Sequence, residues 1–378
     1  MNKPLISYIV LCYNQERFIR EAVSSALAQT YSPLEIVISD DCSKDRTFEI
    51  ARQITAAYKG PHTVRLNRNP TNLGLSGNSN RAVALCQGEL IVGAAGDDIS
   101  VPERTSIIVR AWNDSGRKAI SIYSRFLTID ESGRPVGGEA PASLREEQIR
   151  FIHKRGAISG FLRRRTPHVT GCAYATSRKL ISLFGPLPET VTYEDTATCF
   201  RTILAKGVFT LIDAPLVKYR RHGQNITFAL HKKRPATPAE FEDFQVKLRC
   251  ELERFLPVYD CFAADAQRAI QHGLISRVEY PAVKKRILYE RRRFELKLEL
   301  LVQPWFRRLG IFYQLFSNTI RPREMLQHLP YLLPKSLYRA GVISLNRTLS
   351  WRGAKKLAAQ NHPGSGCLCN RRQSLTTK

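Results

Sequence analysis

The chain opens with short apolar runs that alternate with stretches in which apolar residues recur every three to four positions. Residues 5–12 form a continuous β-rich run that stops at the turn-prone pair Tyr13-Asn14. Over residues 15–30, Phe18, Ile19, Ala22, Val23, Ala26 and Leu27 keep the helical period, which predicts an amphipathic helix. Residues 34–39 read as a second strand, ending on Asp40-Asp41, with a helix over 45–59 and a short strand at 63–67 behind it. A glycine-containing turn over 69–77 leads into a helix predicted at 78–87, and a strand at 89–94 ends at Gly96-Asp97-Asp98. Strands separated by helices imply parallel βαβ units, whose ligands lie beyond the carboxyl ends of the strands. Both acidic pairs fall at such ends.

After residue 100 the pattern is mixed, with strands predicted at 119–128 and 209–219 around helical segments. From residue 237 onward it reads as helices punctuated by prolines at 257, 281, 304, 322, 330 and 334. The tail over 362–378 is polar and glycine-containing and is expected to be disordered. This divides the chain into an α/β domain over 1–230, a basic helical extension over 231–361 and the tail. A length of 378 residues, 43% hydrophobic, suffices for a sizeable core.

Charge changes the picture of the second half. Of a net +25, residues 1–230 hold 30 Lys+Arg against 21 Asp+Glu, whereas residues 231–378 hold 28 against 12, and no acidic residue follows Glu324. Such a balance favours polyanionic surfaces. The nine cysteines are scattered without a CxxC pair, which argues against a zinc site and for reduced thiols in a cytoplasmic protein. The start lacks the pattern of a signal peptide, and no apolar stretch reaches the roughly 18 to 20 residues of a spanning helix. The expectation is a soluble or peripheral protein.

Asp97-Asp98 presents two carboxylates on a tight Gly96 turn. Hard cations such as Mg²⁺ and Mn²⁺ take carboxylate oxygens and complete their shells with water and substrate phosphates. Alternatively, the acidic residues and Ser100 cap a helix starting near Pro102, and Ser43 or Asp45 caps the helix after Asp40-Asp41. Two acidic pairs at one sheet end would repel each other unless ligands or cations offset the charge, which favours a site.

Residues 5–45 and 69–104 resemble the nucleotide-binding half of family 2 inverting glycosyltransferases of the GT-A fold. The resemblance rests on Cys12-Tyr13-Asn14 after the first strand, Ser25-Ala26-Leu27-Ala28-Gln29-Thr30-Tyr31, the run from Asp40 to Asp45, Asn72-Leu73-Gly74, and Gly96-Asp97-Asp98 with Pro102-Glu103-Arg104. It implies a Rossmann-like nucleotide-diphospho-sugar transferase domain with a helical C-terminal extension. In that reading Tyr13, Asn14, Asp40 and Asp41 take the nucleoside of the donor, Asp97 its ribose, and Asp98 a divalent metal, Mg²⁺ or Mn²⁺. The family's metal motif has a third acidic position, and this chain has Ile99 there. The donor it implies is a nucleoside-diphosphate sugar, built on uridine or thymidine.

The acceptor half resembles the same family. His168 to Arg178 is similar to its glycine-containing strand flooring the acceptor pocket, with Gly171 at that floor, and Tyr193-Glu194-Asp195 resembles its Glu-Asp motif at a helix start. The resemblance makes Asp195 the general base, Glu194 an acceptor contact and the reaction inverting. Taken alone, the same two acids are favourable charge in a helix's first turn. Tyr219 to Asn225 resembles the segment closing the family's catalytic domain, where two arginines and His222 could clamp the donor diphosphate. Arg163-Arg164-Arg165 could cover the pocket as a lid, or be a solvated charge run.

In the extension Ile287, Phe294, Leu298, Leu301 and Trp305 fall on one helical stripe flanked by Arg291–Arg293, Lys297, Arg307 and Arg308, and residues 330–338 mix apolar and aromatic residues with a basic edge. A basic amphipathic helix suits the plane of an anionic membrane, and packing on the catalytic domain or on a second copy explains the stripe equally well. Nucleic acid fits less well, since no recognition motif accompanies the charge. The acceptor expected is a polysaccharide or lipid-linked glycan. Two other functions compete: a nucleotidyltransferase, whose glycine-rich loop is missing after the first strand, and a basic adaptor without catalysis, which would not need the acidic pairs.

Overall fold

The computed structural model describes residues 3–136, 158, 162, 171–225 and 238–316. The lid loop at 163–165, the segment 330–338 and the tail 362–378 lie outside the described residues. The chain divides into two compact units, one of Met1–Leu230 with Arg249–Leu298, the other of His231–Leu248 with Glu299–Lys378. Residues 249–298, which the sequence assigned to the extension, therefore pack within the first unit.

That unit is built on a mixed sheet. Strands β1 (Ile6–Cys12), β2 (Leu34–Asp40), β3 (Thr63–Arg68) and β4 (Leu90–Ala95) run parallel, as the βαβ pattern predicted. The sheet continues through β5 (Ile99–Ser100), β6 (Ala119–Ile129), β7 (Tyr174–Ser177) and β8 (Val208–Arg220) in the order β3-β2-β1-β4-β7-β6-β8-β5. Strand β7 lies antiparallel to both β4 and β6, which brings the second half of the domain alongside the first.

Among the described residues the helices beside the sheet are α1 (Ile19–Leu27), α2 (Thr47–Ala57), α3 (Gly74–Ala84), α4 (Arg104–Asp114), α5 (Arg178–Phe184) and α6 (Glu194–Leu204). The near-continuous apolar strands follow from burial on both faces. On one face Ile6, Tyr8 and Val10 of β1 pack with Ile19 and Val23 of α1 and Ile108 and Trp112 of α4. On the other, Ile9 meets Ala82 and Cys86 at the end of α3.

Two long helices complete the chain's described part before the last: α7 (Pro238–Gln271) and α8 (Tyr280–Val302), followed by α9 (Trp305–Phe316). Val258, Tyr259 and Phe262 of α7 and Ile287 of α8 join Tyr123, Phe200 and Ile203 in a single buried cluster. Phe294 stacks on Phe255, with centroids 5.1 Å apart, and packs edge-on against Tyr259 at 5.2 Å. The stripe of α8 thus covers the core of the first unit, the packing alternative, so that Ile287 and Phe294 do not face a membrane. Among the prolines, Pro304 separates α8 from α9 and Pro281 sits in the first turn of α8, but Pro257 lies inside α7 rather than ending a helix.

Helix starts differ from the pattern where side chains fix the first turn. Helix α3 begins at Gly74, four residues before the predicted 78, because the Asp41 carboxylate accepts from Leu73 N at 2.8 Å and Asn72 Oδ1 from Gly74 N at 3.2 Å. Helix α1 begins only at Ile19, since Phe18 N closes a turn onto Gln15 O at 2.9 Å. Helix α2 begins at Thr47, whose N–H bonds to Asp45 Oδ1 at 2.9 Å, while the N-cap residue itself is Arg46, whose side chain makes no cap.

Candidate active site

The loops leaving β1 and β2 are stitched together at the carboxyl end of the sheet. Asn14 takes a positive φ of 52°, a conformation asparagine tolerates, and its N–H donates to Ser43 Oγ at 2.9 Å while its Oδ1 accepts from Lys44 N at 2.8 Å. Gln15 N donates to Thr47 Oγ1 at 2.6 Å, and Glu16 N to Asp45 Oδ2 at 3.0 Å. Beneath this seam Asp40 is fully buried, with one oxygen taking Ser43 N at 3.0 Å and the other its hydroxyl. Asp41 Oδ1 accepts from Asn69 Nδ2 at 2.9 Å and from Leu73 N at 2.8 Å. The mutual repulsion expected of these acids is therefore met by donors from within the protein. Of the four residues expected to take the nucleoside, Asp40 and Asp41 are buried, Asn14 is half-buried in the seam between the two loops, and Tyr13 is 41% exposed.

The second acidic pair sits one strand away. Gly96 N donates to Leu11 O at 2.8 Å, and a Cβ at Gly96 would lie 2.7 Å from the Cβ of Cys12, so only glycine allows this approach of β4 to β1. Helix α4 begins later, at Arg104, with no side-chain cap, so Asp97, Asp98 and Ser100 do not serve it as caps. Asp97 Oδ2 contacts His222 Nε2 at 2.8 Å. Asp98 Oδ1 accepts from Arg220 N at 2.8 Å, whereas its Oδ2 is buried without a hydrogen-bond partner. Burial first, and the Asp97 charge second, push the Asp98 carboxyl well above the usual range, against the opposing pull of Arg220 N–H, the Cys172 thiol and Arg104.

The segment at 219–225 does not offer two free arginines to a diphosphate. Arg220 is buried, donating from Nε to Asp97 O at 2.9 Å, from Nη1 to Glu131 O at 2.9 Å and from Nη2 to Glu21 at 2.5 Å. Its guanidinium lies 5.0 Å from the centre of the Phe18 ring, and the His222 ring is 4.8 Å from that same ring. Asn225 closes the loop, accepting from His222 N at 2.6 Å and reaching Asp97 Oδ2 at 3.4 Å. Arg220 and Asn225 thus orient the Asp97–Asp98 pair, a task that a run of basic residues does not announce in a sequence.

Glu194 and Asp195 open α6. Gly171, in the short turn Gly171–Ala173 before β7, packs against them: a Cβ there would come within 2.6 Å of Glu194 Oε1 and 3.9 Å of Asp195 Oδ2. Burial pushes Asp195 up to about 6, opposed by N–H groups of Thr196 and Gly171. Burial and the Asp195 charge push Glu194 up to about 8. The Tyr174 hydroxyl, next along the chain, is raised by burial and then by these two carboxylates.

One turn connects the two acidic centres. The Cys172 thiol lies against Asp98, and its own pKa is raised by burial and then by that carboxylate. Arg104, buried, donates to Cys172 O and to Gly93 O, both at 2.7 Å, and so fastens this turn to β4. Gly171 and Cys172 therefore stand between Glu194–Asp195 on one side and Asp98 on the other. Arg104 belongs to the quoted Pro-Glu-Arg run, but nothing in its spacing marked it as the tie.

Residues 7–183 match the family model described as Glycosyl transferase family 2. The matched stretch is just under half of the chain, and its α/β sheet and helices are those of the expected fold class. EpsE of Bacillus subtilis (strain 168) is 34% identical over 130 residues, 34% of this chain and 46% of that protein. An uncharacterized glycosyltransferase of Haemophilus influenzae is 34% identical over 133 residues, 35% of this chain and 40% of its own length. The chain thus spans less than half the length of these relatives. Among solved structures, Staphylococcus aureus TarS 1-349 in complex with UDP-GlcNAc is 17% identical, with a TM-score of 0.49 over 89% of this chain and 92% of that one.

Proposed function

We propose that this chain is a family 2 glycosyltransferase that moves a sugar from a nucleoside diphosphate, of uridine or thymidine, onto a hydroxyl of a polysaccharide or lipid-linked glycan in one inverting displacement. The observation that carries this reading is the turn Gly171–Ala173, which holds the Asp98 carboxylate and the Glu194–Asp195 pair on its two sides. Donor and acceptor chemistry need to meet across such a short distance.

Asp98 fits a hard divalent cation, Mg²⁺ or Mn²⁺, because its Oδ2 is a buried carboxylate oxygen with no partner and its charged form is disfavoured without a nearby positive charge. Among the described residues no group of three or more acidic, histidine or cysteine side chains could hold such an ion. The rest of its shell would come from water and the donor phosphates. When bound, the ion would neutralise charge on the departing diphosphate. The protein's own part is to hold Asp98 in place: Arg220 N–H fixes one oxygen, and His222 and Asn225 occupy the neighbouring Asp97.

Asp195 then acts on the acceptor. An alcohol becomes a competent nucleophile as its proton passes to a carboxylate during bond formation. Burial makes Asp195 a stronger base than an exposed carboxylate while leaving it ionised above about pH 6. Glu194, raised further, keeps its proton at neutral pH, so the pair carries one negative charge there. In this reading Tyr13, exposed beside the seam, takes the donor nucleoside together with Asn14, Asp40 and Asp41. The reading suits a cytoplasmic protein peripheral to the membrane that presents a lipid-linked acceptor.

The test is thermal stabilisation by a panel of uridine and thymidine diphosphate sugars, with Mg²⁺, with Mn²⁺ and with EDTA, followed by transfer assays with the donor that stabilises most. Asp98→Asn keeps an acceptor for Arg220 N–H but removes the charge, and should abolish the metal-dependent part of the stabilisation. Equal stabilisation in EDTA, or an undiminished metal effect in Asp98→Asn, would overturn the metal assignment.

A further inference from the structure

We infer that α9 (Trp305–Phe316) docks the protein on an anionic bilayer surface, laying a stripe of Phe306, Leu309 and Tyr313 into the lipid interface. These three residues are 63%, 66% and 73% exposed, and their spacing of three and four puts them on one face of the helix. Ile311 and Arg308 are buried on the other side, at 8% and 3% exposure, which fixes which face turns outward. Val302, at the end of α8 just before Pro304, is half exposed and extends the apolar surface. Large apolar side chains this exposed are otherwise scattered among the described residues.

Charge selects the occupant. In α8 the arginines are matched by acids: Arg286 and Arg293 pair with Glu290, and Arg291 with Asp260 and Glu295. From residue 299 to the end the chain carries 13 Lys+Arg against two acids, Glu299 and Glu324. The excess of positive charge over acids is therefore greatest from α9 onward, where Arg307 is exposed and Arg308 is buried against Gln303 O. A surface of that sign attracts anionic lipid and repels a second copy of itself. Nucleic acid would meet the charge but not the apolar stripe, whereas a bilayer interface takes both: Phe and Leu enter the acyl boundary and Tyr stays at headgroup level. Twelve residues of helix span about 18 Å, short of the roughly 30 Å hydrocarbon core, so α9 lies in the surface rather than across it. No helix among the described residues is long and apolar enough to cross a membrane.

The stripe expected from sequence, with Phe294 at its centre, is thereby replaced by one a turn and a half beyond Leu301. The inference is independent of the glycosyl transfer proposed above, since vesicle binding needs neither donor nor acceptor.

The experiment is flotation of the full chain with vesicles of phosphatidylcholine alone and of phosphatidylcholine with phosphatidylglycerol, at low and at high salt. Binding to the anionic vesicles should exceed binding to the neutral ones by roughly tenfold or more at low salt, and fall as salt shortens the Debye length. Leu309→Ser with Tyr313→Ser, both at exposed positions, should lower partitioning onto anionic vesicles roughly tenfold at high salt, where the apolar contribution dominates. Its melting temperature and its response to nucleotide report that the fold is kept. Equal binding to neutral and anionic vesicles by the unmodified chain overturns the inference whatever the variant does. A double variant that binds as well as the parent but changes oligomeric state shows the stripe to be a contact between copies, and also overturns it.

Discussion

A side chain at Gly171 would set its Cβ 2.6 Å from Oε1 of Glu194, closer than any real Cβ contact, so the backbone of one residue and the carboxylate of the other share a space that only glycine leaves open. The consequence is testable at Gly171→Ala. The methyl must displace the Glu194 carboxylate, and it also comes within 3.9 Å of Asp195 Oδ2. A displacement of about 1 Å at a reacting group costs on the order of 10²-fold in rate. Turnover should fall by that much while nucleotide-dependent stabilisation, which rests on the loops of β1, β2 and β4, is unchanged. Loss of both together would show that the substitution disturbs the whole sheet edge.

Asp195→Asn keeps the size of the side chain but cannot take the acceptor proton. Transfer should drop roughly 10²- to 10⁴-fold with donor affinity retained. In the unmodified protein the maximal rate should rise with pH through about 6, as Asp195 ionises. A variant that loses nucleotide affinity and keeps its rate would make Asp195 a donor contact instead.

Glu194 carries a stability signature of its own. Its folded pKa of about 8 lies above the ordinary value of 4.5, so the folded state holds the proton more tightly than the unfolded chain does. Its contribution is fully present below about pH 4.5 and is lost as pH rises through 8. Glu194→Gln, which has no proton to lose, should match the parent near pH 4 and become progressively more stable than it toward pH 8, levelling off above. Melting curves of the two proteins across that range decide the matter, and a constant difference would mean that Glu194 is ionised throughout.

Much of the first half was legible because buried parallel strands write themselves as apolar runs, and their ends announced Asp40-Asp41 and Asp97-Asp98. What the pattern could not carry was set by side chains reaching across the chain. The early start of α3 depends on Asp41, 32 residues from Leu73, and the tie between the two acidic centres depends on Arg104 meeting a carbonyl at Cys172. Nothing next to Arg220 or Arg201 in the sequence announces their burial, which is set by partners remote in the chain, Glu131 O for the one and Asp265 for the other. The stripe of α8 was visible, but periodicity states only that a helix has an apolar face. Phe255 and Tyr259 decide what that face touches.

The last of these contacts bears on how much of the chain the catalytic unit needs. Arg201 of α6 makes a two-pronged bond to Asp265 of α7, at 2.8 and 3.2 Å, and also donates to Gly185 O at 2.7 Å. Both side chains are nearly solvent-free, at 5% and 0% exposure. Removing one partner of such a pair leaves an uncompensated buried charge, at a cost on the order of 3 kcal/mol. Asp265→Ala should therefore destabilise the protein by about that much although Asp265 belongs to a helix beyond the matched family stretch. Asp265→Ala with Arg201→Met, which buries no charge, should recover most of the loss; failure to recover would assign the effect to packing in α7. By the same reasoning a fragment ending at residue 235 lacks Val258, Tyr259, Phe262 and Ile287 and exposes their partners Phe200 and Ile203. It should show no cooperative melting transition, whereas a fragment ending near residue 300 should melt as one unit. A well-folded 1–235 fragment would show that α7 and α8 decorate a domain that stands without them.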